Sequence, residues 1–116
     1  MESECRNILK SEQFEEFYNS QSDNVREKID YVFNIMVSQK IVSNKFVKKL
    51  DDTEFYEMRV SLGNNEYRSI LFTIDSQSFI ECKTAVILNG FVKKSTKQYK
   101  KEIEKARSIV KSLNED

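Results

Sequence analysis

The stretch that decides the fold reads Phe55-Tyr-Glu-Met-Arg-Val-Ser-Leu62, then Glu66-Tyr-Arg-Ser-Ile-Leu-Phe-Thr-Ile74, then Phe79-Ile-Glu-Cys-Lys-Thr-Ala-Val-Ile-Leu88. The first segment alternates. Tyr56, Met58, Val60 and Leu62 fall on one side, and Glu57, Arg59 and Ser61 on the other. That is the period of a strand with one buried face. Gly63-Asn64-Asn65 tolerates positive φ and predicts a hairpin turn into the second segment. The second segment is apolar on both parities, the mark of a central strand. Arg68 shares the parity of Ile70, Phe72 and Ile74, which sets it at the rim of a covered face or at a bulge. Asp75-Ser-Gln-Ser78 is a further turn. The run Ala85-Val-Ile-Leu88 closes a third, buried strand, and Asn89-Gly-Phe-Val-Lys-Lys94 follows it. The expectation is an antiparallel meander, covered on one face by the rest of the chain and carrying its cations on the other.

Upstream, Arg6-Asn-Ile-Leu-Lys10 reads as an edge strand. Ser11 is placed to cap a helix over Glu12 to about Asn19, with Phe14, Phe17 and Tyr18 on one face. Asn24 followed by Glu27 resembles a capping box. Val25, Ile29, Val32, Phe33 and Met36 then repeat at helical spacing. The two helices form a hairpin whose aromatics belong to the core. Ile41 to Leu50 is a connector in which Phe46, Val47 and Leu50 suit a short helical turn, with Lys45, Lys48 and Lys49 as a small basic cluster. Downstream, a helix from Thr96 or Lys97 to Leu113 packs through Tyr99, Ile103, Ala106, Val110 and Leu113. The fold class is α+β: an N-terminal helical hairpin on a small, mostly antiparallel sheet, with a C-terminal helix. The expectation is one domain over residues 1–116, long enough to bury a core without staples.

Composition narrows the chemistry. With 33% charged and 39% hydrophobic residues, no apolar run approaches the roughly 20 residues of a membrane span. Met1-Glu-Ser-Glu-Cys5 has no apolar signal region, so a cytoplasmic protein with no membrane partner is expected. Cys5 and Cys82 lack metal or redox spacing and read as two free thiols in a reducing compartment. The net charge of zero is unevenly spread. Residues 1–30 carry eight acids against four bases, whereas Lys83 to Lys101 holds six lysines and no acid. Such a cationic end can bind a polyanion locally. The chain has no histidine, which excludes Ser-His, Cys-His and His-metal sites. It has two glycines, too few for a phosphate-cradling loop. No metal and no cofactor is called for, and an enzyme here must work with Lys, Arg, Tyr, Glu or Asp.

In an antiparallel meander Arg59, Arg68, Lys93 and Lys94 converge. Arginine grips phosphate bidentately, and a lysine among cations can also move protons. RNA supplies its own nucleophile, the 2′-OH. Cleavage needs a base near that oxygen, cations around the pentacoordinate phosphorus and a donor for the 5′-oxygen. Spacing alone fits arginines in surface salt bridges equally well.

Several ordered motifs add a family resemblance. Lys48-Lys-Leu50, Tyr56-Glu-Met-Arg59, Tyr67-Arg68 and Leu88-Asn-Gly-Phe-Val-Lys-Lys94, followed by Lys101-Glu-Ile-Glu-Lys-Ala106, resemble the phage-derived Gp49-like, HigB-type toxins of the RelE/ParE superfamily. These toxins belong to type II toxin–antitoxin systems. The match runs in order from Lys48 to Ala106. It implies a ribosome-dependent mRNA endonuclease that inhibits translation, held in a hetero-oligomer by a cognate helix-turn-helix antitoxin. Its partners would be that antitoxin, the ribosome and mRNA. The resemblance implies that Arg59 and Arg68 hold the scissile phosphate and that Lys93 or Lys94 acts as acid, base or charge stabiliser. Glu57 would orient a cation or assist proton transfer. Lys48, Lys49 and Lys97 would contact RNA backbone. Tyr99 stands where the family usually has proline; it is either a helix anchor or a platform for a base. Two other readings share the same sheet and patch: a ParE-like toxin that blocks DNA gyrase by binding, and an inactive relic.

Overall fold

A computed structural model describes residues 4–114; Met1 to Ser3, part of the polar N-terminus read above, lie outside them. The elements run β1 (Asn7–Lys10), α1 (Glu12–Asn19), α2 (Asp23–Ser38), β2 (Val47–Lys49), β3 (Phe55–Leu62), β4 (Asn65–Thr73), β5 (Thr84–Val92) and α3 (Thr96–Leu113). The five strands form one sheet in the order β1-β5-β4-β3-β2. β1 runs parallel to β5, and every other pairing is antiparallel. The expected α+β class and meander are therefore present.

The β3–β4 hairpin closes on Gly63 and Asn64. Only the glycine has positive φ (62°), as a type II′ turn requires at its first central position. Between β4 and β5 the carboxylate of Asp75 accepts the backbone N–H groups of Lys83 and Thr84 at 2.9–3.0 Å. Those bonds hold its carboxyl below the usual range and set where β5 begins. The third strand therefore starts at Thr84, not Phe79, and extends through Val92. Phe79 belongs instead to the core beneath α2. Register slips by one residue between Ile70 and Leu71, which pair with Asn89 and Ile87. The extra residue, Leu88, lets both Leu88 and Asn89 sit buried. Gly90 is glycine for steric reasons. A Cβ there would meet Phe17 Cε2 at 2.6 Å and Cγ at 2.8 Å.

One face carries α1 and α2. Phe14, Val25, Ile29, Val32 and Met36 pack on Met58, Val60, Leu71, Ala85 and Ile87. Ser11 caps α1 through Phe14 N–H. Ser22, rather than Asn24, caps α2 through Val25 N–H. Asn24 lies one residue inside the helix, so the capping-box spacing there is coincidental. The connector makes a turn, with Phe46 and Val47 N–H groups both donating to Ser43 C=O. This is the expected short helical turn, but it ends at Phe46, and the chain then enters an edge strand, β2, in which Val47 pairs with Met58 and is buried.

The larger correction concerns the second face. It is not left open, because α3 lies across it. Ala106 and Ile109, with Tyr99, Ile103 and Val110, pack on Phe55, Ile70, Val86, Leu88 and Phe91. The sheet is a middle layer between two helical layers. Glu57, read on a polar face, and Arg68, read at the rim of a covered face or at a bulge, are both buried under the N-terminal half of α3.

Cys5 and Cys82 are both free thiols. Burial pushes the Cys82 thiol up.

A candidate anionic-ligand site at the β3–β4 hairpin

Arg59 and Arg68 are direct cross-strand partners on β3 and β4. Like charges so placed repel, and two glutamates separate them. Glu57 Oε2 lies 3.5 Å from Arg59 Nε, and Glu57 Oε1 lies 3.6 Å from Arg68 Nε. Glu66, two residues before Arg68, takes its Nη2 at 3.1 Å. Tyr99, in the first turn of α3, donates its hydroxyl to Glu57 Oε1 at 2.7 Å and accepts from Arg68 Nε at 3.1 Å. Arg68 Nη1 donates to its neighbour's carbonyl, Tyr67 O, at 3.1 Å. All three nitrogens of Arg68 are engaged.

Exposure sorts the members. The Arg68 side chain is 3% accessible and that of Glu57 7%, against 29% for Arg59 and 41% for Glu66. Arg68 therefore holds Glu57 and Glu66 in place, while Arg59 presents its guanidinium at the surface. Arg59 also donates to Asn44 O at 3.2 Å. Lys93 and Lys94 follow β5 and are exposed, as is Lys97. Lys93 N–H closes on Glu66 O at 2.8 Å. The Ser61 hydroxyl, then Arg68 and Lys93, hold the Glu66 carboxyl below its ordinary value. Lys48 pairs with Glu57 in the β2–β3 register, so it stands on the same face at the sheet edge. Lys49 points to the other face and donates to Leu50 O and Thr53 O. The basic cluster of Lys45, Lys48 and Lys49 is thus split between the connector and the two sides of β2.

Tyr99 is the helix anchor. Its ring meets Phe91 edge-on at 5.2 Å. Burial, then the Glu57 carboxylate, pushes its hydroxyl up to about 12. Tyr99 is therefore a proton donor, not a phenolate, at any physiological pH. The protonated form favours the folded state: this contribution is full below the ordinary value of 10 and is lost as pH rises towards 12. An alkaline titration followed by tyrosinate absorbance should show one late step near 12, and that step should be absent in Tyr99→Phe.

The sequence reading missed Glu66 as a partner of Arg68. Its position two residues before Arg68 on one strand was the available signal. It also missed Asn44, whose role is played by a backbone carbonyl and so leaves no trace in residue type. Among the described residues no cluster of three His, Cys, Asp or Glu side chains is arranged to hold a metal ion. No described helix is long and apolar enough to cross a membrane.

A family profile described as Phage derived protein Gp49-like matches residues 16–111. The chain belongs to this Gp49-like family. The match spans β3, β4, β5 and most of α3, and so contains the whole charged cluster. Among solved structures, a doubly arginine-substituted mutant of the E. coli toxin RelE in the free state superposes with a TM-score of 0.58. The identity is 12%, over 86% of this chain and 96% of that one. This Gp49-like chain thus has a RelE-like fold. No curated protein matches it in sequence.

Proposed function

We propose that this Gp49-like chain is the toxin of a type II toxin–antitoxin pair and cleaves mRNA on the ribosome, without a metal, by attack of the 2′-OH. The observation that carries the reading is the partly exposed Arg59. It shares the Glu57 carboxylate with a fully engaged Arg68, in a fold and family common to such toxins. In this account Arg59 contacts the scissile phosphate and stabilises its added charge as phosphorus becomes pentacoordinate. Lys93 and Lys94 extend the cationic surface along the backbone, with Lys48 and Lys97 at its margins. The attacking 2′-oxygen gives up its proton as it bonds to phosphorus, and the 5′-oxygen gains one as it leaves. The products are a 2′,3′-cyclic phosphate and a 5′-hydroxyl. Glu57 is the carboxylate nearest the phosphate-binding arginine and the candidate acceptor of that first proton. Its limited exposure means that RNA must draw Arg59 off it, which exchanges one anion for another. Arg68 and Tyr99 are positioning residues, which act by holding Glu57. The antitoxin partner and a cytoplasmic setting follow from the same reading.

Expression without antitoxin tests it. Wild-type protein should arrest growth, and Arg59→Ala should not, because loss of a donor to the developing charge lowers the rate by about 100-fold or more. Arg68 and Tyr99 still satisfy Glu57 in that variant, so its melting temperature should stay close to that of the wild type. Undiminished arrest by folded Arg59→Ala would remove Arg59 from the site.

A further inference from the structure

Beside Arg59 the surface opens into a groove of about 600 Å³ between α2, the connector and the end of β3. Its lining includes Glu27, Lys28, Tyr31, Lys45, Phe46 and Arg59. Tyr31 is 54% exposed, an unusual state for a large ring on a helix that otherwise buries its apolar stripe. Its ring stands edge-on to Phe46, with centroids 6.2 Å apart and planes at 77°. Each ring carries a cation. Lys28 Nζ is 5.7 Å from the Tyr31 centroid, and Lys45 Nζ is 5.6 Å from that of Phe46. Three cations and one acid thus surround two aromatic rings. The same Arg59 both borders the groove and touches the buried Glu57.

We infer that this groove is a base-stacking subsite for a nucleotide of single-stranded RNA next to the phosphate held by Arg59. The inference rests on the RNA-cleaving function proposed above. A solvent-facing aromatic ring can stack on any base, and lysines beside it can take the flanking phosphates. The volume lies within the range of small-molecule sites and admits one nucleotide. Tyr31 supplies the stacking surface, and Phe46 braces it from the side. Lys28 and Lys45 face the backbone on either side of that base. Glu27 is the one acid within reach and can accept from an exocyclic amino group. The groove therefore favours a base that presents such a donor over uracil.

The test is a map of mRNA 5′ ends after induction of wild type, Tyr31→Ala, Tyr31→Phe and Arg59→Ala, with folding checked by thermal melting. Tyr31→Ala should cut about 5- to 150-fold less efficiently, the range expected for loss of one stacked base. Its remaining cuts should lose any base preference next to the cleaved bond. Tyr31→Phe should behave as wild type. Cuts by Tyr31→Ala equal to wild type in number and sequence would overturn the subsite while leaving the nuclease standing. Normal cutting by Tyr31→Ala with loss of neutralisation by antitoxin would assign the groove to the protein partner and also overturn it. Absence of cuts with wild type would remove the nuclease itself, and the subsite with it.

Discussion

Glu57→Ala is expected to destabilise the protein by about 3–5 kcal/mol, the usual cost of removing one partner from a buried ion pair. Among the described residues Glu57 is the only group that touches Arg59, Arg68 and Tyr99 together. Without it the guanidinium of Arg68, 3% accessible, keeps a single carboxylate, Glu66. Tyr99 loses the acceptor of its hydroxyl. Against a typical total stability of about 5–15 kcal/mol this is a large fraction. Urea unfolding gives the number directly. Removing both charges as Glu57→Leu with Arg68→Met should cost much less than the sum of the single changes, because no unpaired charge then remains buried. A Glu57→Ala cost below about 1 kcal/mol would show that the cluster is hydrated and that Arg68 is freer than its burial indicates.

Arg6→Ala carries the second large effect, and it lies far from the proposed site. Arg6 is 2% exposed. Its Nη1 donates to Met36 O at 2.5 Å and to Gln39 O at 2.7 Å, and its Nη2 to Lys40 O at 2.7 Å. These carbonyls end α2, where a cation also complements the helix dipole. The guanidinium lies 4.1 Å from the centroid of the Phe79 ring, so one side chain joins β1, α2 and the β4–β5 loop. Its loss leaves several carbonyls short of a donor, at about 1–3 kcal/mol for each that stays buried. An overall cost of about 3 kcal/mol or more is expected. Arg6→Lys should recover only part, because a single ammonium cannot span the donor geometry of a planar fork. Hydrogen exchange should localise the damage, with the last turn of α2 and β1 losing protection before β3 and β4. Uniform loss across the sheet would mean that Arg6 supports the global fold rather than this corner.

These two residues also mark how much could be read from the sequence. Helix positions, the hairpin turn and the cation motifs are short-range patterns, and they are legible in residues such as Ser11, Gly63 and the Val25-to-Met36 stripe. What the sequence does not display is which layer covers which face. The alternation of Glu57, Arg59 and Ser61 signals a wet face when β3 is read alone. Only the packing of Ala106 and Ile109 over Ile70 and Phe91 makes that face a second core. The same long-range packing engages all three nitrogens of Arg68 within the protein, which its place on a strand alone does not display. The start of β5 depends on a side-chain-to-backbone bond across eight residues, from Asp75 to Lys83, which periodicity cannot register. Tyr99 is open between anchor and platform in the sequence; in the structure its ring meets Phe91 and its hydroxyl bonds Glu57, contacts that spacing along the chain does not show. Arg6 lies in a segment read only as a weak edge strand, since its partners are backbone carbonyls thirty or more residues away along the chain.

We propose above that this Gp49-like chain cuts mRNA during translation. The most direct measurement maps mRNA 5′ ends minutes after induction in cells lacking antitoxin, with and without a translation inhibitor. New ends should appear inside translated codons and vanish when translation is blocked. Growth arrest with intact mRNA and an induced DNA-damage response would contradict this proposal, and would assign the toxin to DNA gyrase.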